Sequence, residues 1–407
     1  MPEASTVAVV PPAYFVPVRR GDRGRAVTEI RSRLILALSR ASPDQPVPDG
    51  LAACLDPLRF DDALDRAVRA FQQHRGLSVD GVVGSSTWRV LEEARWRLGD
   101  RLLTHLPGRL LAGDDVLTLQ RRLLDLGFNV GKVDGRYGRR TEGAVRDFQR
   151  NVGIPPDGTC GPATFKALRG LAPMVRGGSP NAMRAQERIR RDGPQLAGKI
   201  VVVDPAVASF ADPRLSAQAD AISADLARRI EGRLVATGVQ AFLSNTGGAT
   251  EATEVDRADL ANRTQAHLCL SLQVEASDNP GAAGVSTYYY GSVTHGISSS
   301  TGERFAGLLQ REIVARTGLA DLRSHPKTWD LLRRTRMPAV RVDVGYLTNP
   351  GDAARLADPA FRDTVAEAAV VAVQRVYLDP DHDAQTGLLS VGELRSRLAR
   401  QQDDART

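Results

Sequence analysis

The chain's 407 residues are more than one ordinary domain holds and point to two or three. Hydrophobic residues at 42% and charged residues at 25% are those of a globular protein and exclude a disordered or fibrous chain. The net charge of +6 is mild for this length, and no Lys/Arg stripe with interleaved aromatics occurs, so no nucleic acid partner is expected and the basic surface reads as solvated.

From the N-terminus, Met1 to Val18 has no early Lys or Arg, its apolar stretch is broken by Pro11, Pro12 and Pro17, and Arg19-Arg20 follows where it should lead. That order is wrong for a secretory signal, and no later stretch approaches the roughly 18 apolar residues of a membrane span. A cytoplasmic protein with no membrane span is expected. Cys54, Cys160 and Cys269 are odd in number, far apart and outside any Cys-x-x-Cys, so neither a disulfide framework nor a cysteine zinc site is expected.

A repeat follows. Phe71-Gln72-Gln73-His74-Arg75-Gly76-Leu77-Ser78-Val79-Asp80-Gly81-Val82-Val83-Gly84 returns as Phe148-Gln149-Arg150-Asn151-Val152-Gly153-Ile154-Pro155-Pro156-Asp157-Gly158-Thr159-Cys160-Gly161. The register extends to Thr87 and Thr164, and to Leu91 and Leu168. Upstream, Val27, Ile30 and Leu34 match Val116, Leu119 and Leu123 at helical spacing. Ser39 to Arg59, rich in Pro and Asp, reads as a surface loop inserted into the first copy. Each copy is expected to be a three-helix unit whose Asp-Gly and Gly-x-x-Thr steps are turns. Residues 20–96 and 110–171 resemble the peptidoglycan-binding domain family, whose mark is Asp-Gly-x-x-Gly-x-x-Thr. A linker at 172–197 has breakers at Gly177-Gly178-Ser179-Pro180 and Gly193-Pro194 around a short charged helix.

From Gly198 the pattern changes to strands alternating with helices. Strands are expected at Lys199–Val203, Gln240–Ser244, His267–Val274, Val285–Tyr290 and Pro338–Val344. Helices are expected at Ala217–Thr237, Asp256–Arg263, Gly302–Arg316 and Asp363–Val376. The fold class is therefore multidomain: two small all-α repeats followed by an α/β domain.

Residues 198–378 resemble the zinc-dependent N-acetylmuramoyl-L-alanine amidase family through Val203-Asp204-Pro205, Ala261-Asn262, Ser271-Leu272-Gln273 and the run from Met337 to Asn349. In active members the first landmark reads Asp-Pro-Gly-His-Gly-Gly, the third Ser-Ile-His-Ala-Asn, the last carries a glutamate, and a helical glutamate completes the metal site. Such a zinc takes three protein ligands and leaves a fourth position to the attacking water. The resemblance places Val207 at the first His, Gln218 at the helical Glu, Gln273 at the second His and Asp343 at the general base. Valine coordinates nothing and glutamine is a poor zinc ligand. Asp343 is one methylene short, and a misplacement of about 1 Å can cost on the order of 100-fold in rate. No metal, no cofactor and no catalytic residue are therefore expected, and the domain reads as a pseudoenzyme. His267, His295 and His325 show no two-His spacing with a carboxylate and are expected to be solvent-facing or locally bonded. Arg341 stands where active relatives have Leu. Strand alternation puts it on the face of Asp343, so a carboxylate, Asp343 or Glu275, is expected to pair with it.

Residues 379–407 read as a mobile regulatory tail, with Ser390-Val391-Gly392-Glu393 as a capping box opening a basic helix and Thr386 as a phosphorylation site. The whole arrangement resembles a mycobacterial group of degenerate amidase homologues. That resemblance implies a regulator of peptidoglycan precursor synthesis, phosphorylated on Thr386 by a Ser/Thr protein kinase. Its partner would be the enolpyruvyl transferase that acts on UDP-N-acetylglucosamine. Two neighbouring tail threonines of that group are Leu388 and Ser390 here. Two other readings stay open: a working zinc amidase, and a sensor of muropeptide or lipid-linked precursor.

Overall fold

The computed structural model describes residues 16–41, 50, 51, 54, 56–171, 187, 189, 196–245, 252–293, 295–378 and 386. The segment Met1 to Phe15, most of the linker and the capping box at Ser390 lie outside them. The chain divides into two compact units, Met1–Pro180 and Asn181–Thr407.

The first unit is two three-helix sets: α1 (Arg25–Ala41), α2 (Asp62–Arg75) and α3 (Ser85–Glu93), then α4 (Asp114–Asp125), α5 (Arg139–Asn151) and α6 (Pro162–Gly170). The periodic residues face inward as expected: Val27, Ile30 and Leu34 are buried, as are Val116, Leu119 and Leu123. Asp61 caps α2 by accepting from Leu64 N at 2.8 Å, and Gly76 ends that helix in the left-handed region at φ 69°.

The turns are held by a buried amide. Gln72 Nε2 donates to Asp80 Oδ1, Val82 O and Thr87 Oγ1, while its Oε1 accepts from Gly81 N. Gln149 repeats this with Asp157, Thr159, Thr164 and Gly158. The glycine is required there: Gly158 sits at φ 75°, and a Cβ would lie 2.9 Å from Arg146 Nε. A third copy occurs at Gln120, which donates to Asp134 Oδ1, Arg136 O and Thr141 Oγ1 and accepts from Gly135 N. It pins a third Asp-Gly-x-x-Gly-x-x-Thr turn at 134–141 that the direct repeat does not reveal.

In the first set the residue equivalent to Gln120 is Arg31. Its guanidinium donates to Leu51 O at 3.2 Å, Arg59 O at 3.0 Å and Asp61 Oδ2 at 3.0 Å. Of the segment expected as a surface loop, Ser39 to Ala41 belong to α1 and Leu51 is fully buried, whereas residues 42–49, 52, 53 and 55 lie outside the described residues.

The second unit is a seven-stranded sheet in the order β2-β1-β3-β7-β4-β5, with β6 pairing β4. The strands are β1 (Ile200–Pro205), β2 (Gln240–Leu243), β3 (Leu268–Glu275), β4 (Val285–Ser292), β5 (Ile297–Ser298), β6 (Asp321–Lys327) and β7 (Ala339–Tyr346). Among the described residues from 196 on, the helices are α7 (Pro213–Ala236), α8 (Glu254–Arg263), α9 (Ser300–Thr317), α10 (Asp330–Arg334), α11 (Pro350–Ala357) and α12 (Pro359–Val376). β1, β2, β3 and β7 run parallel, whereas β4 is antiparallel to β7. Side-chain alternation divides the core. Val201, Val203, Leu268, Leu270, Leu272, Val340, Val342 and Val344 pack under α7, α9 and α12. Val202, Cys269, Ala339 and Tyr290 pack with Ala261 of α8 and Leu332 of α10.

Candidate functional site

Along the α8–α10 face each strand passes from apolar to polar without leaving its parity. β1 goes from Val202 to Asp204, β3 from Cys269 through Ser271 and Gln273 to Glu275, and β7 from Ala339 through Arg341 to Asp343. Antiparallel β4 runs back from Tyr290 through Tyr288 to Ser286. Parallel pairing sets Asp204 beside Ser271 and Gln273 beside Asp343. Ala206 N donates to Leu272 O at 2.9 Å, which carries the chain at Val207 to this same end of the sheet.

Two ionic clusters occupy the polar end. Asp204, fully buried, accepts from Arg257 Nη1 and Ser271 Oγ at 2.6 Å each, and from Ser244 Oγ. The second cluster centres on Arg341. Its Nε donates to Asp343 Oδ1 at 2.7 Å and its Nη2 to Glu275 Oε1 at 2.5 Å. Both expected carboxylates are therefore its partners. The Trp329 ring lies 4.6 Å from the guanidinium and 4.7 Å from the Tyr288 ring, and Lys327 Nζ lies 5.6 Å from Trp329.

This crowding reshapes the titrations. Burial and the neighbouring Asp343 charge push the Glu275 carboxyl up to about 7, against the pull of Arg341. Burial opposes the Arg341 charge, but Asp343 and Glu275 outweigh it and hold the guanidinium above its ordinary value. Burial, then Asp343, raises Tyr288, and burial lowers Lys327.

The positions read from the sequence separate. Gln273 and Asp343 are buried neighbours in the site. Val207 is half-buried after β1. Gln218 does not join them: it is exposed, and the adjacent Ala219 is the residue whose side chain faces inward at that turn of α7. The exposed Gln218 brings no donor to the site, and its buried neighbour brings only a methyl. A zinc site needs three nitrogen, oxygen or sulfur donors around one point. Val207 and Ala219 bring hydrocarbon, Gln273 a neutral amide, and the Arg341 guanidinium bridges Asp343 and Glu275. Among the described residues no three His, Cys, Asp or Glu side chains are grouped to hold a metal ion. These residues do not fit a zinc ion. The histidines are engaged locally: His267 Nδ1 accepts from Ile200 N at 3.0 Å, His295 Nδ1 pairs with Ser292 Oγ, and His325 Nε2 meets Leu322 O.

Tyr288, Lys327 and Trp329 were not legible as site residues. Tyr288 shares strand parity with Tyr290, which is a usable signal. Lys327 ends, and Trp329 follows, an edge strand that contains Pro326 and lacks apolar alternation, which gives none. Of the tail 379–407, only Thr386 is described, half-buried in a turn. Among the described residues no helix is long and apolar enough to cross a membrane.

The N-acetylmuramoyl-L-alanine amidase family model matches residues 215–375, and the peptidoglycan binding domain model matches residues 25–91 and 112–168. The chain is 45% identical over 384 residues to N-acetylmuramoyl-L-alanine amidase CwlM of Mycobacterium tuberculosis, covering 93% of each chain. It is 28% identical over 147 residues to N-acetylmuramoyl-L-alanine amidase LytC of Bacillus subtilis, covering 36% of this chain and 29% of that one. Among solved structures, the N-acetylmuramoyl-L-alanine amidase from Clostridium difficile 630 aligns at 22% identity with a TM-score of 0.40, covering 44% of this chain and 96% of that one. On its sequence identity across nearly the full length to CwlM, the chain belongs to the N-acetylmuramoyl-L-alanine amidase family, in the CwlM-type arrangement of two peptidoglycan binding domains followed by an amidase-type domain.

Proposed function

We propose that this chain is a hydrolytically inactive amidase homologue that regulates peptidoglycan precursor synthesis in the cytoplasm. In this reading it is phosphorylated on Thr386 by a Ser/Thr protein kinase, and then binds and activates the enolpyruvyl transferase that acts on UDP-N-acetylglucosamine. What supports the reading is the donor set: the family resemblance puts Val207, Gln218 and Gln273 at the ligand positions, Gln218 is exposed with the methyl of Ala219 as its buried neighbour, and the α/β scaffold around them is formed. A family scaffold stripped of its chemistry still offers surfaces, so binding is the activity assigned to it. Cys54, Cys160 and Cys269 are not joined in a disulfide, which supports a reducing compartment.

A phosphate on Thr386 adds about −1.5 to −2 charges and three strong acceptors, the chemistry that recruits arginine on a partner. Affinity capture from cells with and without kinase activity tests this. The transferase is expected to co-purify only with active kinase, and Thr386→Ala is expected to abolish its recovery while leaving the melting profile unchanged. Equal recovery with the variant contradicts the regulatory role. A second reading, a sensor of muropeptide or lipid-linked precursor, is favoured by the three intact amide-clamped turns of the binding domains. Titration with UDP-muramyl-pentapeptide separates the two, since a pure protein regulator gives no heat.

A further inference from the structure

We propose that Arg341 is a built-in replacement for a metal ion: its guanidinium supplies the positive charge that this face of the sheet requires and closes the position to divalent cations. The proposal shares with the proposed function only the unsuitable donor set, and it does not depend on the regulatory role.

The need for a cation follows from the sheet. Alternation and register bring Asp343 of β7 and Glu275 of β3 to the same end of the same face, with side-chain exposures of 5% and 22%. Two carboxylates with so little access to water repel each other and lose hydration, and without an intervening positive charge at least one must take up a proton. Arg341, two residues before Asp343 on the same strand face, spans the gap with one N–H edge to each carboxylate, at 2.7 and 2.5 Å. The planar fork suits this two-sided bridge, which a lysine's point charge does not reproduce.

The cation is also fixed in place. Trp329 stacks at 4.6 Å from the guanidinium, and Tyr288, Arg341's register partner on β4, backs Trp329 at 4.7 Å. A divalent cation seeking the two carboxylates would have to displace a group held on three sides. Lys327 Nζ, 5.6 Å from the Trp329 ring, adds a second positive charge on the approach. The loss of zinc ligands is thus matched by a gain elsewhere in the same site, so the face is complete without a metal.

The test uses the full chain, thermal melting and titration with Zn²⁺ alone. The wild type is expected to melt at the same temperature with zinc, with chelator or with neither, and to show no zinc uptake at this site. Arg341→Met, which keeps the aliphatic stem and removes the charge, is expected to lower the α/β unit's melting temperature by roughly 10 °C. Part of that loss should return when Zn²⁺ binds the freed carboxylates. The double variant Arg341→Met with Glu275→Gln removes one of the repelling charges, so it should recover stability without zinc and lose the zinc response. An Arg341→Met protein as stable as the wild type overturns the proposal, as does a double variant no more stable than the single one. If Arg341→Met alone fails to fold, the double variant decides: a folded double variant supports the proposal and an unfolded one overturns it.

Discussion

Arg257→Met is expected to destabilise the α/β unit by about 3 to 5 kcal/mol, seen as a fall of roughly 10 °C or more in its melting temperature. Arg257 reaches from α8 to Asp204, whose side chain is completely buried at the end of β1. The methionine fills most of the space but leaves a carboxylate with, among the described residues, only the hydroxyls of Ser244 and Ser271 as donors. Removing one partner of a buried pair costs far more than replacing both, because the remaining charge keeps its desolvation penalty. Asp204→Asn combined with Arg257→Met should therefore recover much of the loss. A single variant that melts with the wild type would show that Asp204 is not held as a buried anion.

The second large effect is in the first unit. Gln149→Ala is expected to cost about 3 kcal/mol, because it deletes four hydrogen bonds of a side chain that is 1% exposed and strands the Gly158 N–H inside the turn. Melting followed on that unit should fall by roughly 10 °C, whereas Arg150→Ala, one residue on and exposed, should shift it little. Similar effects from both variants would contradict the clamp.

How far the sequence discloses this molecule depends on which physical rule each residue obeys. The second unit's main strands are nearly continuous runs buried on both faces and its helices carry period-3.6 stripes, while alternation along β7 makes Val340, Val342 and Val344 legible as core and Arg341 as a partner for Asp343 and Glu275. The third amide clamp was hidden by spacing: Gln120 lies 14 residues before Asp134, while Gln72 and Gln149 lie 8 before their aspartates. Leu51 stands alone in a Pro- and Asp-rich stretch with no periodic neighbours, so nothing in the sequence discloses that it joins the first set's apolar core while its carbonyl accepts from Arg31. β6 and α10 give no periodic signal, since Asp321–Lys327 alternates exposed with half-buried side chains and α10 has 5 residues. Motif matching sets a helix's order but not its phase, so it does not disclose that Gln218 is exposed. Burial sets the phase and turns Ala219 inward.

Metal content decides the central claim. The full-length protein, incubated with excess Zn²⁺ and then desalted, is to be analysed for bound metal by mass spectrometry and assayed on purified peptidoglycan. The donor set predicts zinc far below one ion per chain and no release of stem peptides. One tightly held zinc per chain, with peptide release that chelator abolishes, would contradict the account.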